Sequence, residues 1–317
     1  MSEDPIFIIG VHRSGTTLLR YMLSSSPRIY IPPESDFIPR FFLGRAQQAL
    51  SVEEVADLLA TIFEEYRFAK EWEGQPPEAT AFLAAMDGHT PAAFLETLYR
   101  QYAAQYGATR WGDKTPIYAS YVDLIHELFP RARFVHIIRD ARDVTLSMLD
   151  KWEAKEFHVD VYFCARNWVR RIRAARAAGR RLEAGLYHEV HYETLVRDPE
   201  STVRAICDFL DEPFLPEMVS QHRLAQEQLP AGGFHEAVRH PPTTSRIARW
   251  QREMTPADLR LVQAIADSLL EECGYELKQA GPMPLKEQAR HWRLATKYLV
   301  LQAGRRVLQA AGIMPPI

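Results

Sequence analysis

Ile6-Phe-Ile-Ile-Gly10, running on into Val-His-Arg-Ser-Gly-Thr-Thr17, is the stretch that decides the fold. Four consecutive apolar residues ending at a glycine read as a short strand buried on both faces, as in a parallel sheet. Thr16–Ser24 then has helical spacing, with Leu18, Leu19, Met22 and Leu23 on one face. Arg28–Ile31 reads as a second strand, stopped by Pro32-Pro33. Strand, loop, helix and strand make a right-handed βαβ unit. The expected class is therefore α/β: a P-loop-type parallel sheet flanked by helices.

The loop Gly10–Thr17 enters a helix, where backbone N–H groups and the helix dipole receive an anion. Gly10 and Gly15 have the GxxxxG spacing of a P-loop. A nucleotide-hydrolysing loop places lysine next, on the β- and γ-phosphates. Here Thr16 stands in that place, Thr17 follows, and the cation lies inside the loop at Arg13. Backbone N–H groups, two hydroxyls and a forked guanidinium suit a donor with less charge at its transferring end, without a metal. The plainer alternative is a Gly/Ser turn with Ser14 as helix N-cap. A bare GxxxxG would leave that alternative standing; strand–GxxRSGTT–helix argues against it.

Further along, Arg133–Ile138 and Leu186–Tyr192 read as strands. Tyr118–Phe129, Ala141–Lys151, about Pro199–Leu210 and Thr255–Cys273 read as helices. Between about 45 and 108 the apolar residues Val52, Val55, Leu58, Leu59, Ile62, Phe94, Leu95 and Leu98 follow helical spacing, broken around Gly74–Pro77 and Gly88–Pro91. The expected organisation is one domain over 1–284 with a helical insertion at about 45–108, and a helical tail over 285–317.

Bulk properties are those of a globular protein: 317 residues, 47% hydrophobic and 25% charged. A net charge of -3 supplies no global attraction to nucleic acid or anionic membrane, so any phosphate affinity is local. Three widely spaced cysteines without a CxxC pair argue for a reducing compartment and against a disulfide framework or zinc site. Glu3 and Asp4 stand where a signal peptide is basic, and no run has the length of a membrane span, so a cytoplasmic location is expected.

Gly10–Thr17 resembles the 5′-phosphosulfate loop of sulfotransferases that use 3′-phosphoadenosine 5′-phosphosulfate, in the branch that includes the protein-tyrosine sulfotransferases and many bacterial enzymes. Phe134-Val-His-Ile-Ile-Arg-Asp-Ala-Arg-Asp-Val-Thr-Leu-Ser147 resembles that family's second motif. The correspondence runs from about Pro5 to Arg40 and from about Trp111 to Tyr275. The resemblance implies sulfuryl transfer to a hydroxyl, or an amine, leaving 3′,5′-adenosine bisphosphate, with no metal. Gly10, Arg13, Ser14, Gly15, Thr16 and Thr17 would hold the 5′-phosphosulfate, and Arg139 and Ser147 the 3′-phosphate. Glu34, in Ile31-Pro-Pro-Glu-Ser35 ahead of Ile38-Pro39-Arg40, matches the branch's general base. Lys114, in Trp111-Gly-Asp-Lys-Thr-Pro116, matches the lysine at the departing oxygens. Tyr192 matches a tyrosine at the adenine end, and Thr243–Trp250 a loop closing over the nucleotide. The family's RKG motif is absent there; Ser245, Arg246 and Arg249 are the available polar groups, and Gly232-Gly233 with Pro241-Pro242 suit a movable lid.

Read without the resemblance, Arg139 leaves the carboxyl end of a buried strand, where open α/β sheets bind ligands. Asp140 and Asp143 then suit the N-cap and N3 positions of the next helix, Arg142 a solvated face, and Trp111–Pro116 a polar turn. A parallel neighbour of the first strand would release Glu34 beside the loop, and a general base is the usual device for taking an acceptor's proton. His12 is a second candidate base; because the resembling family often has proline at that loop position, it suits a supporting or acceptor-side place instead. His188 and His191, on an alternating strand, face opposite sides and make a shared metal site improbable.

Two other readings remain: a P-loop kinase consuming ATP with magnesium, and a nucleotide-binding module without catalysis. The acceptor's class is open among small molecules, glycans, lipids and peptides. The tail mixes basic and apolar residues. It suits peripheral membrane contact, or, with its faces so mixed, docking on the body or in a homodimer.

Overall fold

A computed structural model of the chain describes residues 3–64, 77–152, 159–229, 231, 236–279 and 281–310. The predicted break at Gly74–Pro77 and the lid glycines Gly232 and Gly233 fall wholly or mainly outside the described residues.

Five strands form one parallel sheet: β1 (Ile6–Gly10), β2 (Ile29–Tyr30), β3 (Arg110–Lys114), β4 (Arg133–Ile138) and β5 (Tyr187–His191), in the order β2-β3-β1-β4-β5. The apolar run of β1 lies at the centre, with Ile6, Phe7, Ile8 and Ile9 all fully buried. Alternation sends Phe7 and Ile9 to one face, with Trp111, Phe134 and the insertion's Val55, Phe94 and Leu98. Ile6 and Ile8 face the other side, with Leu19, Met22, Val135 and Val190. A third cluster joins the helices Val161–Gly179 and Pro256–Glu272 around Trp168 and Val262.

The insertion supplies the helices Val52–Glu64, Ala79–Ala85 and Pro91–Gln105. Its apolar faces are part of the main core on one side of the sheet. The predicted Tyr118–Phe129 helix divides into a 3-10 turn, Pro116–Ser120, and a helix, Val122–Leu128.

Two expectations are corrected. The second strand shortens to Ile29–Tyr30 and pairs with β3, not with β1. The stretch expected as a polar turn, Trp111–Pro116, is instead mostly strand: β3 enters the sheet between β2 and β1, and all five of its residues are buried. Periodicity missed it because Arg110, Asp113 and Lys114 are charged, and each is buried against its own partners. The Arg110 guanidinium donates to the Asp4 carbonyl at 2.7 Å and pairs with Glu212 at 3.1 Å.

Asp113 is the deepest of these groups. Its Oδ2 accepts hydrogen bonds from Tyr99 Oη at 2.5 Å and Ser35 Oγ at 2.7 Å. Ser35 also meets Tyr118 Oη at 2.6 Å, and its N–H donates to Thr115 Oγ1 at 3.0 Å. Tyr99 lies flat on Trp111, ring centroids 4.5 Å apart. The loop after β2, the insertion helix and β3 are thereby tied at one buried carboxylate. Gly112 is required beside it, because a Cβ there would stand 2.7 Å from the Ile6 carbonyl oxygen of β1.

These contacts predict two stability effects. Gly112→Ala forces β1 and β3 apart and should lower the urea unfolding free energy by about 1–3 kcal/mol. Burial pushes the Asp113 carboxyl up to about 6, from 3.8, in spite of the hydroxyls of Tyr99 and Ser35. Between those two values the folded protein holds a proton that the unfolded chain has released, so stability falls as pH rises through the window. Asp113→Asn keeps an oxygen acceptor but cannot ionise. Its stability relative to the parent should rise by up to about 3 kcal/mol from pH 4 to pH 8, read from unfolding curves at the two pH values. A constant difference would show that Asp113 does not titrate there.

Candidate active site

The carboxyl ends of β1, β3, β4 and β5 lie along one edge of the sheet, and the predicted site residues gather there. The loop after β1 folds tightly: Ser14 donates its hydroxyl to the Val11 carbonyl at 2.6 Å and its N–H to the same oxygen at 3.1 Å. Ser14 therefore braces the loop, and Gly15 takes the position ahead of the helix Thr16–Ser24. Gly15 has φ 101°, and a Cβ there would stand 2.5 Å from the Tyr192 ring. At Gly10 a Cβ would meet the Ile137 carbonyl at 2.7 Å. Both glycines are thus places where backbone and neighbours approach too closely for a side chain.

Arg13 is held at φ 70°, a left-handed conformation that costs an L-residue roughly 1–2 kcal/mol. Its side chain turns to the second motif, Nε donating to Ser147 Oγ at 3.2 Å, and its carbonyl accepts Arg139 Nη1 at 3.0 Å. Loss of hydration on burial, then the charges of Arg139 and Arg246, push the Arg13 guanidinium down to about 10. Arg139 donates Nη2 to the Arg246 carbonyl at 2.8 Å and stacks over Tyr192, 4.3 Å from the ring centroid. The Arg139 Nε is buried and has no hydrogen-bond partner. Its peptide carbonyl is fixed by Trp168 Nε1 at 2.8 Å. Three like charges, a helix N-terminus and an orphaned guanidinium N–H are features that suit an anion.

On the other flank, the β3 alternation that sends Asp113 into the core directs Lys114 to the site. Its Nζ pairs with Glu34 Oε1 at 2.6 Å, the side chains being 4% and 18% exposed. The expected base and the expected cation are therefore each other's partners. Glu34 reaches this place through the Asp113–Ser35 contact, since β2 is separated from β1 by β3.

The loop Thr243–Trp250 also reaches the site, and of its three available polar groups Arg246 comes nearest the arginines. Arg246 brings its carbonyl to Arg139 and its charge to Arg13. Arg249 is taken up by Asp150 at 2.7 Å and Glu253 at 2.6 Å, and Ser245 is exposed. Ala248, with φ 52°, turns the chain. Two capping expectations gain content: Asp140 does cap, accepting Arg142 N at 2.8 Å, while Asp143 accepts Trp250 N at 2.9 Å and so anchors this loop. Arg142 is corrected outright. It is buried, pairs with Asp140 at 2.7 Å and stacks on Trp250 at 3.8 Å, so it is no solvated face. No periodicity in the sequence separates such a residue from a surface arginine, because Trp250, Gln263 and the Glu276 carbonyl, which enclose it, are over a hundred positions away.

Beyond Arg139 a cavity of about 750 Å³ opens at the ends of β4 and β5, lined by Asp140, Arg142, His191, Glu193, Thr194 and Trp250 among others. Its polar groups are largely paired with one another: Glu193 accepts Tyr275 Oη at 2.9 Å, and His191 Nδ1 meets the same hydroxyl at 3.1 Å. His188 stacks instead on Phe209 at 5.1 Å, so the two histidines share no site.

Comparisons with known proteins give the family and agree with the fold. The model of the sulfotransferase family matches residues 5–217, passing through the insertion where the sequence correspondence had lapsed. A putative protein-tyrosine sulfotransferase of Caenorhabditis briggsae is 25% identical over 285 residues, 88% of this chain and 92% of that protein. Protein-tyrosine sulfotransferase 1 of Danio rerio is 26% identical over 286 residues, 86% of this chain and 72% of the relative. An uncharacterized protein of Aquifex aeolicus is 27% identical over 79% of this chain, which spans 31% of its length. Among solved structures, the sulfotransferase domain of the Synechococcus PCC 7002 olefin synthase superposes with a TM-score of 0.60 at 24% identity, covering 87% of this chain and 98% of that domain. With the family model covering more than half of its residues, the chain belongs to the sulfotransferase family.

Proposed function

We propose that this sulfotransferase moves a sulfuryl group from 3′-phosphoadenosine 5′-phosphosulfate to an acceptor hydroxyl. The observation that carries the reading is the bond from Arg13 to Ser147, with Arg139 donating to the Arg13 carbonyl. It joins the loop suited to the 5′-phosphosulfate to the pair suited to a 3′-phosphate, so one anionic ligand with two phosphate-bearing ends fits both. The buried, unpartnered Nε of Arg139 and the crowding of Arg13 by Arg139 and Arg246 are the features such a ligand would relieve.

The donor supplies the sulfuryl group and a phosphate leaving group; the rest is work for the chain. Gly10, Ser14, Gly15, Thr16 and Thr17 offer backbone N–H groups and hydroxyls at a helix N-terminus, where negative charge is favoured. Arg139 and Ser147 hold the 3′ end and Tyr192 the nucleoside side. Arg246 covers the site from the loop above; Ser245 and Arg249 support that loop. Glu34 takes the acceptor proton on its carboxylate. In the resting site Lys114 pairs with Glu34 across 2.6 Å. When an anion enters, Lys114 turns to it and joins Arg13 at the departing oxygens, where preorganised cations act on developing charge. That turn releases Glu34 as the acceptor arrives.

Two measurements test this. Glu34→Gln should lower kcat by about 10²–10⁴-fold, with affinity for adenosine 3′,5′-bisphosphate kept; normal turnover would remove Glu34 as the base. Adenosine 3′,5′-bisphosphate should raise the melting temperature well beyond AMP, and Arg139→Glu should abolish that difference. An unchanged preference in Arg139→Glu would place the 3′-phosphate elsewhere. Transfer that persists after chelation separates this reading from a magnesium-dependent kinase.

A further inference from the structure

Six of the nine large hydrophobic side chains exposed on the described surface belong to one helix, Leu285–Ala310; the other three are Leu43, Val52 and Tyr106. Of the six, Leu285, Trp292, Leu299, Val300 and Val307 fall within an arc of about 100° at 3.6 residues per turn. Trp292 is 75% exposed and Val307 67%. The exposed Ala289, Thr296 and Ala303 lie between them, so the stripe is continuous along the helix.

The stripe does not follow from a loosely seated helix. The opposite face docks on the body through Leu294, Ala295 and Tyr298. Tyr298 lies 5.6 Å from the Tyr162 ring. Three ion pairs spaced along the helix set its rotation: Glu287 with Arg260 at 2.6 Å, Arg290 with Asp258 at 2.7 Å and Lys297 with Asp160 at 2.9 Å. The mixing of faces noted in the sequence resolves once these basic residues are spent on the body. What remains at the edges of the stripe is cationic: Lys286 and Arg293 on one side, Arg306 on the other, all exposed. The helix carries a single acid, Glu287, and Arg260 engages it.

A second copy fits this face poorly. A 26-residue helix is about 39 Å long, so a face some 10 Å wide offers roughly 400 Å², against about 800 Å² per partner in a stable interface. Self-pairing would also set cationic edges against cationic edges. An apolar stripe bearing a tryptophan and bordered by lysine and arginine instead complements the boundary between lipid headgroups and acyl chains. We propose that the outer face of Leu285–Ala310 docks the protein on an anionic lipid surface, with Trp292, Leu299, Val300 and Val307 entering the headgroup–acyl boundary and Lys286, Arg293 and Arg306 meeting lipid phosphates and carboxylates. The protein's net charge of -3 leaves the attraction to this patch alone, so it is short in range and sensitive to salt. Docking is independent of sulfuryl transfer.

Co-sedimentation of the full chain with phosphatidylserine–phosphatidylcholine vesicles, beside vesicles of phosphatidylcholine alone, tests it. Binding is expected to the anionic vesicles only and to weaken as salt is raised. Trp292→Ser with Leu299→Ser should abolish it, and Arg293→Glu with Arg306→Glu should weaken it by roughly tenfold or more. Because all four side chains are exposed, the melting temperature, and the stabilisation by adenosine 3′,5′-bisphosphate, should not change in either variant. Absence of co-sedimentation, or equal binding to uncharged vesicles, overturns the proposal. So does a dimer in sedimentation velocity that Leu299→Ser dissociates, which would put a second copy on this face.

Discussion

The carboxylate of Asp113, buried in the sheet and held by the hydroxyls of Ser35 and Tyr99, is the contact on which the site depends. A buried carboxylate without partners is costly enough that the chain must bring hydroxyls to it. The two it brings come from separate stretches, the loop after β2 and the insertion helix Pro91–Gln105. Satisfying Asp113 therefore decides where both stretches lie. Ser35 carries Glu34 with it, and Lys114 follows Asp113 on β3 with its side chain turned to the opposite face. The Glu34–Lys114 pair is assembled as a by-product of burying the residues beside it.

The second organising feature is repulsion. Arg13, Arg139 and Arg246 are brought together by backbone contacts: Arg139 donates to the carbonyls of Arg13 and Arg246. Those bonds, and the left-handed turn at Arg13, keep positive charge concentrated where an isolated chain would disperse it. Strain and like-charge crowding of this kind persist where the surroundings over-determine them. The loop Thr243–Trp250 shares in the same device. Asp143 holds it by Trp250 N, Arg142 by the Trp250 ring, and Asp150 by Arg249. The helix that begins behind Arg139 thus supports both the arginine cluster and the loop above it.

The insertion at 45–108 takes on a different character in this light. Its helices carry a large share of the apolar core on one face of the sheet, and Tyr99 reaches the Asp113 carboxylate. It belongs to the sheet's own packing, which agrees with a family match whose bounds, 5–217, enclose it.

The α/β class, β1, the tight glycine-bearing loop and the second motif were legible in the sequence, because each depends on local order: an apolar run, two glycines at fixed spacing, an arginine at a strand end. The amphipathic helices were legible too, to within a residue or two for Pro199–Leu210 and Pro256–Glu272. Strand β3 was not, since a strand whose buried side chains are charged has no apolar signature until Glu212, Tyr99, Ser35 and Glu34 arrive to pair with it. The pairing of Glu34 with Lys114, the burial of Arg142, the hold of Asp143 on Trp250 and the choice of Arg246 over Arg249 were hidden for the same reason. The sequence by itself determined the glycine-bearing loop with its arginine and how the central strand begins. Only the tertiary structure decided which charges meet, because partners from Arg13 to Ser147 stand 134 positions apart and become neighbours through the sheet alone.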